Sequence, residues 1–145
     1  MIVIKKAMFS LMALLLVSTM AFAKGKTTKS STSSFDWSPV MEAIIQVESN
    51  GNPNAVSGNS VGAMQITPIL VKECNDILKK QKSKKRYTMD DRYSIGKSKE
   101  MFLLIQKYYN PENCIEKAIR SWNGGMKYSV RATNRYYKKV LAQMK

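Results

Sequence analysis

Apolar residues recur at helical spacing in several separate segments of this chain, and no segment shows the sustained alternation of a half-buried strand. Each segment is bounded by residue types that start or stop helices. The predicted starts are Ser38-Pro39, Thr67-Pro68, Ser94, Asn110-Pro111 and Ser129, and the predicted stops are Asn50-Gly51, Asn110 and Gly124-Gly125. This pattern predicts a small all-α domain.

The N-terminal segment predicts export. Residues 1–23 carry Lys5 and Lys6 near their start, continue through a short apolar stretch and end in Ala21-Phe22-Ala23, which is typical of a secretory signal peptide cleaved after Ala23. The alternative is a membrane anchor, but the apolar stretch is short for a bilayer span. Residues 24–34 contain no large apolar residue, which predicts a flexible polar spacer, and the folded domain is predicted over residues 35–145. We therefore expect a periplasmic or secreted protein of the cell envelope.

The chain is strongly basic, with a formal charge of +14, and much of that charge lies in the run KKQKSKKR at residues 79–86. Such a run favours attraction to a polyanion, either nucleic acid, anionic lipid or the acidic polymers of a bacterial envelope. Export argues against nucleic acid, so we expect peripheral contact with the envelope. The alternative is a solvated loop that only keeps the protein soluble.

Two chemical states are open for the only cysteines, Cys74 and Cys114. They could form a disulfide in an oxidising compartment, or each could serve as a small apolar residue on a helix face. The chain contains no histidine, which excludes histidine-based triads and histidine-rich metal sites.

One carboxylate occupies a position where a core-facing residue is expected. Met41, Ile44 and Ile45 share one face of the first predicted helix, and Glu48 is the next residue on that face. The negative end of the helix dipole and apolar neighbours both favour the neutral acid and should raise its pKa. A carboxylic acid that stays protonated near neutral pH can protonate a leaving-group oxygen. The alternative is a carboxylate that reaches water at a frayed helix end.

Three stretches of the chain resemble one known family. They are ESNGNPNAVSGNSVGAMQITP at residues 48–68, AIRSWNGG at 118–125 and RYYKKV at 135–140. Together they resemble the soluble lytic transglycosylases, the goose-lysozyme-like SLT domains, over nearly the whole chain from Phe35 onward. The resemblance implies a lysozyme-like helical domain with a substrate cleft.

The family's motifs identify candidate site residues one by one. Its Glu-Ser pair matches Glu48 and Ser49, which implies a catalytic acid and a neighbouring substrate-binding residue. Its Gly-Leu-Met-Gln motif matches residues 62–65, with Ala in place of Leu. Its Ala-Tyr-Asn motif matches Ser121, Trp122 and Asn123, with Trp in place of Tyr. Its C-terminal tyrosine best matches Tyr136, and Tyr137 competes by one residue.

Each matched residue has a chemical role and a structural alternative. Gln65 and Asn123 carry amides that could bind sugar hydroxyl or acetamido groups, although Asn123 could instead cap a helix. Met64 and Trp122 could form apolar surfaces against a sugar, or could belong to the core. Tyr136 could donate a hydrogen bond to Glu48 or orient an acetamido group, or could be a core aromatic.

The remaining acids favour a mechanism with a single carboxyl group. After Glu48 the next acids are Glu73, Asp76, Asp90 and Asp91, and none matches a position in the family's motifs. The resemblance implies cleavage of peptidoglycan glycan strands to 1,6-anhydro ends, without metal or cofactor. We expect a monomer with no nucleic-acid partner, which could serve an envelope-spanning secretion or conjugation machine. The alternatives are a lysozyme-type hydrolase and a non-catalytic wall-binding or assembly module.

Overall fold

The computed structural model describes residues 34–144, and the predicted signal peptide and most of the predicted spacer lie outside them. This part of the chain contains five α-helices and one two-stranded antiparallel hairpin. The helices are α1 (Ser38–Ser49), α2 (Pro68–Lys80), α3 (Ile95–Tyr109), α4 (Ile115–Gly124) and α5 (Val130–Gln143), and the strands are β1 (Val56–Ser57) and β2 (Ser60–Val61). A short 3-10 helix, Asp90–Tyr93, precedes α3. The predicted all-α fold is confirmed. None of the described helices has the length and apolar character needed to cross a membrane.

The core forms where the apolar faces of the helices meet. Helix α5 packs against α4 and α1, and α2 packs against α3. Phe102 is fully buried, and its ring contacts Trp37 at 5.6 Å and Trp122 at 5.2 Å between ring centroids. Burial of one such side chain typically contributes about 1.5–3 kcal/mol. The core therefore fixes the helix that carries Trp122 relative to the rest of the domain.

Three of the predicted helix starts have the expected side-chain cap. The oxygens of Thr67, Ser94 and Ser129 each accept a hydrogen bond from a backbone N–H three residues later. Such a bond satisfies a donor that the helix itself leaves unpaired and is worth about 1 kcal/mol. Helix α1 ends at Ser49, and the predicted stop residue Asn50 is its C-cap in the left-handed conformation. These local signals set the ends of the helices.

Two predicted helix starts are wrong in detail. Helix α1 has Trp37 at its N-cap, and the backbone N–H of Ser38 donates to the Asp36 carboxylate at 2.9 Å. Helix α4 begins at Ile115, because the Asn110 side chain forms hydrogen bonds with both the N–H and the carbonyl of Cys114. That side chain closes a loop between the two helices instead of capping α4.

The two cysteines are free thiols in this structure. Cys74 is fully buried in the core, where burial raises the pKa of its thiol to about 12. Cys114 is exposed at the N-cap of α4 and does not lie on an apolar stripe. Cys74 therefore serves as a small apolar core residue, and the disulfide is not formed.

The hairpin segment between α1 and α2 is held against the 3-10 helix. Gly62 has a positive φ of 81°, and a Cβ atom built on it would lie 1.9 Å from the carbonyl oxygen of Arg92. Only glycine fits this close approach. The Arg92 guanidinium donates to the carbonyls of Asn59 and Ile66 at 3.2 and 3.4 Å. These contacts fix the loop that follows Glu48.

Candidate active site

Glu48 lies near the C-terminal end of α1 and is half-buried. The Tyr136 hydroxyl, on α5, donates a hydrogen bond of 2.7 Å to its Oε1. Burial raises the pKa of the Glu48 carboxyl above its ordinary value, and the hydrogen bond from Tyr136 offsets part of that rise. The direction agrees with the expectation from the sequence. The site holds an acid that binds its proton more tightly than an exposed glutamate does.

The structure distinguishes the two neighbouring tyrosines of α5. Tyr136 contacts Glu48, whereas the ring of Tyr137 lies 4.2 Å from the guanidinium carbon of Arg120. Burial, together with the nearby Glu48, raises the pKa of Tyr136. The phenol therefore stays protonated and remains a donor throughout the pH range in which Glu48 titrates.

Glu48 lines two cavities, one on each side of it. The first cavity, of about 440 Å³, runs along α5 and also contains Asn123, Arg135 and Lys139. The second cavity, of about 260 Å³, is lined by the hairpin and α4 and contains polar groups of Ser57, Ser60, Gln65, Thr67 and Asn123. Both cavities include the Asn123 side chain, so they meet beside the acid.

A third cavity, of about 400 Å³, continues from the second one. The two share Thr67, Leu70, Trp122 and Asn123 in their walls. The three neighbouring cavities are together called the groove. Because neighbouring cavities share wall residues and Glu48 lines the first two, a ligand larger than one cavity can contact the acid together with the adjacent walls.

The structure brings Trp122, Asn123 and Gln65 to the groove with Glu48 and Tyr136. Asn123 is exposed at the end of α4 and lines all three cavities. The half-buried Trp122 donates through its indole N–H to the carbonyl of Met64 at 3.3 Å. Gln65 donates through its amide nitrogen to Gly62 and Ala55 carbonyls, at 2.9 and 3.4 Å. Its side-chain oxygen is the group that it can offer to a ligand.

Two of the residues expected at the substrate serve the interior of the protein. The Met64 side chain is fully buried in the core, so it does not form the predicted sugar-contacting surface. The Ser49 hydroxyl donates to the carbonyl of Ala63 at 2.9 Å and so ties the end of α1 to the hairpin loop. After α1 the chain folds back over the core. Met64 and Ser49 therefore hold the hairpin loop in place and do not line the groove.

Several lining residues were not singled out from the sequence. Arg135 and Lys139 lie four residues apart on α5, one on each side of Tyr136, so helical spacing alone would have placed them beside it. Ser57 and Ser60 flank Gly58-Asn59, a dipeptide that favours a tight hairpin. Glu73 and Tyr109 line the third cavity from α2 and α3, and nothing local in the sequence links them. Among residues 34–144 no three acidic or cysteine side chains form a group that could hold a metal ion.

The fold and the groove together define a class, namely small helical domains in which a half-buried, tyrosine-bonded acid lies where two surface cavities meet. Residues 27–143 match the family model of the transglycosylase SLT domain, and the chain belongs to that family. No curated protein and no solved structure gives a significant match. Family membership supports transglycosylase-type activity on peptidoglycan in general.

Proposed function

We propose that the protein is a lytic transglycosylase that cleaves the bond between N-acetylmuramic acid and N-acetylglucosamine in peptidoglycan. In this proposal Glu48 is the single general acid and base. The observation that carries it is the half-buried Glu48 carboxyl, with a raised pKa and a hydrogen bond from Tyr136, between two open cavities. A carboxylic acid in such a position can deliver a proton to a bound polymer.

The first step is protonation of the glycosidic oxygen by Glu48 as the bond to the anomeric carbon breaks. The acetamido oxygen of the muramic residue then stabilises the electron-poor carbon. The Glu48 carboxylate that results is an anion in a partly desolvated site. The Tyr136 hydroxyl, which donates to Oε1, stabilises that anion at the moment it forms.

In the second step the Glu48 carboxylate takes the proton of the muramic 6-hydroxyl group. The freed oxygen attacks the anomeric carbon and displaces the acetamido oxygen. The product is a 1,6-anhydromuramic end, and Glu48 is again protonated. No water is consumed, because the glycosyl group is transferred to its own 6-hydroxyl, and an enzyme that cleaves a polysaccharide in this way is classed as a lyase.

The carboxylates of the groove support a mechanism with one acid. Of the acids among residues 34–144, Glu48 is the only one that lines the first two cavities. The other acid in the groove is Glu73, in the third cavity, where Tyr109 donates to it. Glycosidases with two carboxylates need the second one directly across the scissile bond. A substrate that supplies its own acetamido group avoids that requirement.

The walls of the groove also suit a glycan. The second cavity offers hydroxyl and amide groups from Ser57, Ser60, Gln65 and Asn123, which can pair with sugar hydroxyl and acetamido groups. The first cavity carries the cations of Arg135 and Lys139, which favour an anionic substituent of the polymer.

Digestion of purified sacculi tests the proposal. Mass spectrometry of the released fragments should identify anhydromuramic ends, which are lighter than reducing ends by one water. Reducing ends would instead identify a lysozyme-type hydrolase. Binding without release, by wild type and Glu48→Gln alike, would identify a non-catalytic wall-binding module. Glu48→Gln should release no fragments above background.

The proposal extends to the protein's place in the cell. We propose that it is exported and acts as a monomer on peptidoglycan in the periplasm or at the cell envelope, without a nucleic-acid partner. An envelope-spanning machine remains its proposed setting. The basic run at residues 79–86 supports peripheral contact with acidic envelope polymers. Fractionation of cells that make the full chain should recover the protein outside the cytoplasm, and recovery in the cytoplasm alone would contradict export.

A further inference from the structure

The third cavity contains a carboxylate that forms no salt bridge with the described residues. Glu73 lies on α2 and accepts a hydrogen bond from the hydroxyl of Tyr109. No Lys or Arg among residues 34–144 pairs with it, although the chain has 24 basic residues against 10 acidic ones. The acids that do form ion pairs are Glu42, Asp76, Glu100 and Glu116. An acceptor for a positive charge is therefore available inside the groove.

The walls around Glu73 are unlike those of the second cavity. They are mainly apolar and include Ile69, Leu70, Ile105, Trp122 and Met126. Ile69 is 79 % exposed and Met126 is 42 % exposed, so a ligand can cover them. A sugar presents hydroxyl groups on most sides and would leave them unpaired against such walls. An aliphatic chain that ends in an ammonium group matches both the walls and the carboxylate.

We propose that this cavity binds the side chain of the diamino acid in the peptidoglycan stem peptide, with Glu73 accepting from its terminal ammonium. The inference rests on the proposed function, because it assigns a second part of the same substrate. The third cavity shares Thr67, Leu70, Trp122 and Asn123 with the polar second cavity. Since the peptide is attached to the lactyl group of muramic acid, a sugar held beside Glu48 can direct its peptide along this shared wall.

Tyr109 positions the carboxylate of Glu73. The hydrogen bond from its hydroxyl engages Oε1 and leaves Oε2 for the ligand. That bond, with burial, raises the pKa of Tyr109 to about 12, so the phenol stays a donor at physiological pH. A charge-assisted bond to a fixed carboxylate is stronger than a neutral one and loses less freedom on binding.

The test compares three substrates made from the same uncrosslinked glycan strands. The first keeps its stem peptides, the second has lost them to an amidase, and the third has its free peptide amines acetylated. For the wild type we expect kcat/KM on intact strands to exceed that on either altered substrate by about tenfold, the typical effect of one charge-assisted hydrogen bond. Equal values on all three substrates would overturn the inference while leaving the proposed function intact.

The same ratio is then measured for variants of Glu73 and Tyr109 and for a control variant on α2. Glu73→Gln should lower the ratio of intact to acetylated strands to about one. Tyr109→Phe should lower it less, because the carboxylate remains but is less well fixed. Asp76→Asn is the matched control, since Asp76 lies on the same helix, pairs with Lys72 and does not line the cavity, and it should keep the wild-type ratio. A Glu73→Gln variant that keeps the ratio would contradict the assignment of Glu73.

A binding measurement separates failure of this inference from failure of the proposed function. Calorimetry with a soluble stem tripeptide should give an affinity about tenfold weaker for Glu73→Gln than for wild type. If the wild type cuts none of the strands, the proposed function is wrong, and the tripeptide affinity alone tests whether the third cavity binds the diamino acid. Equal affinities of wild type and Glu73→Gln would overturn that assignment. Thermal unfolding checks that each variant is folded.

Discussion

Two glutamic acids line the groove, and each accepts a hydrogen bond from a tyrosine on another helix. Tyr136 of α5 donates to Glu48 of α1, and Tyr109 of α3 donates to Glu73 of α2. The two pairs differ in what surrounds them. For Tyr136 burial is the main cause of the raised pKa, whereas for Tyr109 the main cause is the hydrogen bond to Glu73. The same pair of functional groups therefore occurs in two different solvation states.

The difference suits the two acids to different chemistry. Glu48 loses hydration and has its pKa raised, and it lies where the polar walls of two cavities meet. It can give up a proton at pH values where an exposed carboxyl has already lost its own. Glu73 lies among exposed apolar side chains at the end of the groove, where a charged or aliphatic group can reach it. One pair is suited to transfer a proton, and the other is suited to hold a cation.

The largest expected effect is a loss of kcat that occurs on substitution of Glu48 but not of Glu73. Glu48→Gln keeps the shape of the side chain but cannot exchange the proton, so kcat on peptide-free strands should fall by about 10²–10⁴-fold. Glu73→Gln should change KM for peptide-bearing strands more than it changes kcat. Initial rates over a range of strand concentrations give both constants. A large loss of kcat in Glu73→Gln, with substantial turnover left in Glu48→Gln, would reverse the assignment of the two acids.

The next effect concerns Tyr136, which donates the hydrogen bond to Glu48. Tyr136→Phe removes a donor that favours the carboxylate, so kcat should fall by about tenfold and the pKa of Glu48 should rise further. The alkaline limb of the pH–rate profile should then move to higher pH. Tyr137→Phe is the matched control, because that ring stacks with Arg120 and does not bond to Glu48. A limb that moves to lower pH in Tyr136→Phe would contradict the role given to this hydrogen bond.

The sequence predicted the features that depend on neighbouring residues. Helical spacing and the oxygens of Thr67, Ser94 and Ser129 identified elements that the structure confirms. Glu48 stood out because a carboxylate interrupted an apolar face. Where a predicted helix start was wrong, the polar side chain formed other hydrogen bonds, as Asn110 does with both backbone groups of Cys114. The hairpin was missed because strands of two residues are too short to show alternation.

Features that depend on distant parts of the chain could not be predicted in the same way. The burial of Met64 results from the loop folding back onto the core, which no local pattern reports. Glu73 and Tyr109 are 36 residues apart, and they meet only because α2 packs against α3. Glu48 and Tyr136 are 88 residues apart, and only the family resemblance suggested that they belong together. Side-chain pairs from different helices can therefore be predicted only from the fold or from a family motif that is associated with that fold.

The smallest expected effect concerns the free energy of unfolding, which the burial of the Glu48 carboxylate should lower at neutral pH. Because the pKa of Glu48 is raised in the folded protein, the native state binds its proton more tightly than the unfolded state does. Its contribution to stability is therefore fully present below the unfolded pKa of about 4.3 and is lost as the pH rises through the folded value. Glu48→Gln should exceed the wild type in stability at neutral pH by about 0.5–2 kcal/mol, and this advantage should disappear in acid.

Asp76→Asn provides a control of opposite sign for this measurement. The hydrogen bond from Lys72 holds the pKa of the exposed Asp76 below its ordinary value, so its contribution is present above the unfolded pKa and is lost as the pH falls. Asp76→Asn should therefore be slightly less stable than wild type at neutral pH and should converge with it in acid. Urea unfolding of the three proteins at neutral pH and below about pH 4 compares the two signs directly. A Glu48→Gln variant that is less stable than wild type at neutral pH would mean that the acid is not strained by its burial, and the comparison with Glu73 would lose its physical basis.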